Sequence, residues 1–163
     1  MIFDVQEILK TDGARVRLEG KLVLPQEDDG IVFHEDAVFS GTMTNVGGVL
    51  EFEALAEGSF SVPCARCMKM TEQRFSVSVF ETLADESAEI TDRDAIIPLP
   101  DTAVDLDAVI WPEVLLNLQT RYLCKPDCKG LCAQCGTDLN EASCDCREDD
   151  IDPRLAGLKD LLQ

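Results

Sequence analysis

The chain has 163 residues, 45% of them hydrophobic and 28% charged, with a formal net charge of −18. That length suits one domain with a modest core, or one domain plus a small metal-held module, and the apolar share excludes a disordered acidic tail. So acidic a surface repels nucleic acid, whose binding draws on basic side chains meeting phosphates. It attracts basic proteins, or serves solubility alone.

The N-terminal MIFDVQEILK carries an acid at Asp4 and no apolar centre, so it does not read as a secretory signal. No stretch reaches the roughly 18 consecutive apolar residues of a membrane span. The expected location is the cytoplasm. In that reducing compartment the eight cysteines point to metal ligands rather than disulfides.

Residues 15–24 alternate, with Val16, Leu18, Leu22 and Leu24 on one parity and Arg15, Arg17, Glu19 and Lys21 on the other. Period two predicts a strand with one wet face. Residues 31–46 are short apolar stretches broken by Gly41 and Asn45, which predicts strands with turns, and Gly47-Gly48 marks another turn. Residues 49–57 alternate again. Phe60 and Val62 lead into CARC, Cys64 to Cys67, and Phe75, Val77 and Val79 follow. Strand, cysteine pair, strand predicts an antiparallel hairpin with a metal knuckle near its tip. The acidic residues 84–107, with Pro98 and Pro100, predict a long exposed connection holding one short strand at Ala95–Leu99.

Leu106, Val109, Ile110, Val114, Leu115 and Leu118 recur at helical spacing, with Asp105 or Asp107 as N-cap. Pro112 either kinks that helix or lies in the first turn of one beginning at Trp111. Residues 124–146 carry too little apolar content to hold together by burial, so they need metal. Asp152-Pro153 opens a short terminal helix with Leu155, Leu158, Leu161 and Leu162 on one face. The expected fold is α+β: an antiparallel, mostly β body with one long helix, a C-terminal four-cysteine zinc module and a short terminal helix. Residues 1–123 form the body and 124–163 the module and helix, integrated into one domain.

The cysteines fall into four pairs: Cys64/Cys67, Cys124/Cys128, Cys132/Cys135 and Cys144/Cys146. A tetrahedral zinc site takes two pairs, so four pairs make two sites and two Zn²⁺ ions. LCAQCG, Leu131 to Gly136, reads as a zinc knuckle whose glycine allows a tight turn, and Cys144 and Cys146 follow after a short loop of eight residues, so Cys132, Cys135, Cys144 and Cys146 form the first. By elimination Cys64, Cys67, Cys124 and Cys128 form the second. Two other arrangements remain open: Cys124, Cys128, Cys132 and Cys135 on one ion with the outer pairs on another, or a bridged two-metal cluster. Four-thiolate sites leave no position for substrate, and are structural. The lone histidine, His34, reads as a strand surface residue. No HExxH, glycine-rich phosphate loop or GxSxG is present, and no enzymatic activity or small-molecule substrate is expected.

Residues 64–74 and 121–129 together hold six basic side chains, Arg66, Lys69, Arg74, Arg121, Lys125 and Lys129, against the two acids Glu72 and Asp127. They are candidate RNA contacts. Equally, they balance the formal charge of about −2 that Zn²⁺ with four thiolates carries.

CARC after a strand, DLDAVIWPEVLLNL, CKPDCKGLCAQCGTDLN with CDC, and the ending DPRLAGLKDLL together resemble the YceD family of bacterial and plastid proteins linked to accumulation of large-subunit ribosomal RNA. The resemblance covers most of residues 15–162. It implies a role in large-subunit assembly without implying enzymatic activity, with the subunit precursor as partner through either rRNA or a basic ribosomal protein. The expected role is a non-enzymatic factor, and an rRNA-processing enzyme is the alternative from another class.

Overall fold

A computed structural model describes residues 1–84, 96–99 and 102–146. In chain order the elements are β1 (Ile2–Asp4), α1 (Gln6–Leu9), β2 (Arg15–Lys21), β3 (Glu27–Asp28), β4 (Ile31–Phe33), β5 (Val38–Val46), β6 (Val49–Pro63), β7 (Met70–Ala84), β8 (Ile97–Pro98), β9 (Ala103–Asp105) and α2 (Leu106–Asn117). The protein is mostly antiparallel sheet with few helices, and its cysteine groups gather towards the C-terminal part of the chain.

The long strand β6 is the spine. Along one edge it pairs with β7 from Leu50↔Leu83 to Pro63↔Met70. Along the other it pairs first with β5, then with β4 through Phe33↔Phe60. Strand β2 lies outside β5, β3 outside β4, and β8 runs parallel to the end of β7. Strands β1 and β9 form a separate antiparallel pair.

Alternation assigns the faces, because successive side chains point to opposite sides of a sheet. Leu50, Phe52, Ala56, Phe60 and Val62 of β6 are buried, as are Phe75, Val77, Val79 and Leu83 of β7. Gly58 sits opposite Phe75, and a β-carbon there would come within 2.8 Å of the Phe75 ring. The missing side chain gives that ring its place in the core.

Helix α2 covers the inner face with Leu106, Val109, Ile110 and Val114. Trp111 meets Phe33 edge-on at 5.1 Å between centroids, and Tyr122 meets Phe60 likewise at 5.3 Å. Each such pair contributes about 0.5–1.5 kcal/mol beyond its buried area. Through Tyr122 the core extends past the helix to the start of the cysteine-rich segment. The one buried polar side chain among the described residues is Asn45. Its Nδ2 donates to the carbonyls of Ile8, Leu9 and Thr11, and its Oδ1 accepts from the Gly48 amide. It thereby caps the short α1 and closes the β5–β6 turn.

Two sequence expectations need correction, and one open choice is resolved. Of the two helix starts, α2 takes Leu106 rather than Trp111, with Asp105 as the N-cap, its carboxylate accepting from the Asp107 amide at 3.2 Å. Pro112 lies inside the helix, and both it and Ala108, whose carbonyl loses a donor, are exposed, which puts the missing hydrogen bond on the solvent side of the helix. With 12 residues the helix has about three turns, an ordinary length rather than a long one. The described parts of residues 84–107 are not all exposed connection: Leu99 and Val104 are buried and β9 pairs with β1. Strand β8 falls within the expected Ala95–Leu99 strand, whose Ala95 lies outside the described residues. The expected terminal helix also lies outside them.

Candidate metal centres

The β6–β7 hairpin ends in the CARC turn. Cys64 N–H donates to Lys69 C=O, and Met68, at φ 60°, donates back to Cys64 C=O, both at 2.9 Å. This tight turn puts two sulfurs on one side. The segment after α2 crosses the tip and is pinned by Ala65 N–H to Tyr122 C=O at 2.9 Å and Leu131 N–H to Arg66 C=O at 3.0 Å. Gly130, at φ 80°, permits the crossing: a β-carbon there would lie 3.0 Å from the Arg66 carbonyl oxygen.

These contacts bring Cys64, Cys67, Cys124 and Cys128 together. Cys64 and Cys128 sulfurs are 3.8 Å apart, and those of Cys67 and Cys124 are 3.6 Å apart. A tetrahedral ion at a Zn–S distance of about 2.3 Å gives a sulfur–sulfur edge of about 3.8 Å, whereas a disulfide requires about 2.05 Å. Cys64, Cys67 and Cys128 are buried and Cys124 is exposed.

The second group is Cys132, Cys135, Cys144 and Cys146. LCAQCGTD forms its own knuckle. Cys132 N–H donates to Thr137 C=O at 2.8 Å, Gly136 N–H to Cys132 C=O at 2.9 Å, and Leu131 bridges Asp138. This group is half-buried to exposed. Within each group all four sulfurs lie within 4.8 Å of one another, and each group could hold a metal ion.

The electrostatics of the two groups run in parallel. Amides of Cys124, Arg66 and Cys67 bring the Cys64 thiol down to about 6, against burial. Lost hydration and the sulfurs of Cys128, Cys67 and Cys64 push Cys124 up to about 12. In the second group the Thr137 hydroxyl and amide bring Cys135 down to about 6, while Cys135 itself and lost hydration push Cys146 up to about 12. Four thiols packed this closely cannot all ionise by themselves, and a divalent cation relieves that conflict.

Sequence reasoning missed Asn140. Its Nδ2 donates to Cys128 Sγ at 3.4 Å and to Asp138 Oδ1 at 2.7 Å, and its Oδ1 accepts from the Lys129 amide at 2.9 Å. A residue in the loop of the second group therefore touches a sulfur of the first. Its only sequence signal is the Asp138-x-Asn140 turn, which tells nothing about a sulfur twelve residues earlier. Thr137 was also missed; its hydroxyl lies 3.1 Å from Cys135 Sγ.

The six basic candidates divide. Arg66 Nη1 donates to Cys128 C=O at 2.7 Å, and Lys69 pairs with Glu141 at 3.2 Å, so both help to hold the knuckles together. Arg74, Arg121, Lys125 and Lys129 are exposed and have no carboxylate within 4.0 Å among the described residues. Exposed Met68 and Met70 lie at the same tip.

His34 just follows β4. Its Nε2 lies 2.9 Å from Ser61 Oγ and 3.2 Å from Glu72 Oε2, while Ser61 donates to Glu72 at 2.6 Å. One ring nitrogen faces both partners and the serine proton points to the carboxylate. A nucleophilic relay needs the serine on one nitrogen and the carboxylate on the other, so this is a surface cluster rather than a hydrolase site.

Residues 52–162 match the family model of the large ribosomal RNA subunit accumulation protein YceD. A protein of Mycobacterium tuberculosis is 36% identical over 115 residues, 66% of this chain and 55% of the relative. One from Mycobacterium leprae is 31% identical over 117 residues, covering 68% and 54%, and YlbN of Bacillus subtilis 25% over 115, covering 70% and 67%. The chain thus spans about 55% of the length of the mycobacterial relatives it matches. No solved structure matches the chain.

Proposed function

The chain belongs to the YceD family, and on that premise we propose that it is a non-enzymatic zinc-binding factor in large ribosomal subunit biogenesis, supporting accumulation or assembly of 23S rRNA in the cytoplasm. The observation that carries the metal half of this reading is the sulfur geometry. Edges of 3.6 and 3.8 Å fit a zinc tetrahedron, and four soft donors per group select zinc over magnesium or calcium. The ribosomal half rests on the family.

Two Zn²⁺ ions would be held by Cys64, Cys67, Cys124 and Cys128, and by Cys132, Cys135, Cys144 and Cys146. Full coordination by thiolate leaves no open position for water or substrate, so the role is scaffolding. The first ion fastens residues 124–163 to the body of residues 1–123, making one integrated unit. Arg66 and Lys69 offset the negative charge of the knuckles. Arg74, Arg121, Lys125 and Lys129 remain as contacts for phosphate. A second reading, an acidic chaperone for a basic ribosomal protein without RNA contact, is favoured by the net charge of −18.

The test combines elemental analysis of the protein purified from cells with a salt titration of rRNA binding. The proposal expects two zinc ions per chain, a fall in the ratio of 23S to 16S rRNA on depletion, and an affinity that drops steeply with salt and is lost on Lys125→Glu with Lys129→Glu. Protein without zinc, or an unchanged rRNA ratio, refutes it. Binding of a basic ribosomal protein but not of rRNA at low salt transfers support to the second reading.

A further inference from the structure

Strand β7 is paired along its whole length on one side, but on the other only Leu83 and Ala84 have a partner, β8. Leu99 N–H donates to Ala84 C=O at 2.8 Å, so Ala84 directs its main-chain groups towards that edge. Strand alternation gives Arg74, Ser76, Ser78 and Phe80 the same direction. Among the described residues no strand accepts their amides and carbonyls.

Proteins blunt open edges with lysine, proline, bulges or inward charges. Here Phe75–Phe80 reads FSVSVF, six residues without charge or proline in a chain that is 28% charged. Phe80 is 61% exposed. Beneath the edge, two clefts open between β7 and α2. One, of about 460 Å³, is polar, with Gln73, Asn117 and Gln119 in its walls. The other, of about 600 Å³, is lined by Phe80, Ile97, Val109 and Pro112. Glu81 borders this second cleft and faces Glu113 of α2, and neither carboxylate has a cation within 4.0 Å among the described residues. Lost hydration, then Glu113, pushes the Glu81 acid up.

We propose that the β7 edge from Arg74 to Phe80 binds an extended segment of a basic protein as an added strand. A lysine or arginine of that segment settles between Glu81 and Glu113, and an apolar side chain enters the cleft beside Val109 and Pro112. Main-chain pairing supplies affinity, and the alternate side chains supply selection. The carboxylate pair acts in both directions: it neutralises a basic strand and repels an acidic one. It also disfavours RNA, and a second copy of β7 offers Arg74 as its only cation between Met70 and Ala84. No residue of this surface is a cysteine of either group, so a failed test in metal-loaded protein leaves the zinc assignment standing.

The probe is a fluorescent eight-residue peptide with threonine at odd positions and lysine, lysine, valine, valine at even ones, titrated against the full chain. The proposal expects saturable binding, protection of the amides of residues 74–80 from hydrogen exchange, and at least tenfold weakening by Glu81→Gln with Glu113→Gln. Ser78→Pro removes an edge N–H that β6 does not use, and is expected to abolish binding while the melting temperature holds. Should that variant not fold, a probe N-methylated along one edge tests the same hydrogen bonds and is expected not to bind. Equal binding by the N-methylated probe, or by a probe with glutamate for lysine, overturns the proposal. So does slow exchange at residues 74–80 in the chain alone, which would mean that another part of the chain or a second copy already occupies the edge. Protection of the amides of residues 76–80, beyond Arg74, by an RNA oligonucleotide overturns it as well.

Discussion

The two cysteine groups close loops of very different size, and removing a ligand from each should therefore have different consequences. Cys64 and Cys128 are 64 residues apart, and Cys67 and Cys124 are 57 apart. In the chain-entropy treatment of cross-links, closing a loop of about 60 residues stabilises by about 4 kcal/mol, and closing the loop of about ten residues between Cys135 and Cys144 by about 3 kcal/mol. The first amount is shared by the whole sheet because β6 and β7 run the length of the fold. The second is confined to residues 132–146. At about 2–4 °C per kcal/mol for a chain of this size, Cys64→Ser in zinc-saturated protein is expected to lower the main melting transition by about 8–16 °C. Cys146→Ser is expected to leave that transition in place and to accelerate hydrogen exchange only after Cys128. Serine in the buried Cys64 position adds its own cost of about 1–3 kcal/mol for an unsatisfied hydroxyl. The wild-type protein melted with a strong chelator controls for this, and should reproduce most of the loss. Equal shifts for the two variants, or an unchanged melt in chelator, would refute the assignment of the first group as the staple of the fold.

Asn140→Leu is expected to weaken metal at the first group by about 10–100-fold, measured by competition with a chromophoric chelator, because Asn140 orients Cys128 and the Lys129 amide without being a ligand. Asn45→Ala leaves the Gly48 amide and three carbonyls without their partner; a loss of about 3 kcal/mol in urea unfolding, with unaltered metal content, is expected. Glu81 titrates above its ordinary range when folded, through burial and Glu113. Its charged form therefore penalises the fold above both values, and the penalty lifts as pH falls through the folded one. Glu81→Gln should raise the melting temperature near pH 7 and make no difference at about pH 4.

Local chemistry was legible in the sequence, and the chain's path was not. The alternation of residues 15–24 and 49–57 announces β2 and β6, and the residues flanking CARC announce the hairpin. Period two reports which face of a strand is wet but not which strand lies beside it. Hence β6 as a spine flanked by three strands, and the pairing of Ile2–Asp4 with Ala103–Asp105, emerge only from the fold. The cysteines behave alike. Spacing resolves them into pairs, yet three combinations of pairs satisfy it. What selects one grouping in space is the approach of Tyr122 and Leu131 to the hairpin tip, set by core packing more than fifty residues away. Pro112 left two helix starts open for a related reason: its cost depends on whether the orphaned carbonyl meets water, and sequence does not say which side of the helix is exposed.

The hairpin also links the two proposals physically. Its tip carries two cysteines of the first group and its outer edge is the open one, so the candidate metal site and the edge sit on the same two strands. A strand that accepts another must be held extended beforehand, or binding has to supply the entropy of ordering it, about 1–2 kcal/mol for each residue fixed. Residues 74–76 lie four to six residues past the start of β7 at the knuckle, whereas residues 80–82 lie beside α2 across the second cleft. Removing metal should therefore loosen the near end of the edge and spare the far end. The lysine–valine probe is expected to lose about tenfold in affinity to chelated protein, equivalent to ordering one residue at about 1.4 kcal/mol, with protection lost at residues 74–76 and kept at 78–80. Unchanged affinity would mean that the pairing of β6 with β7 alone keeps the edge straight, and that the metal serves the C-terminal segment only.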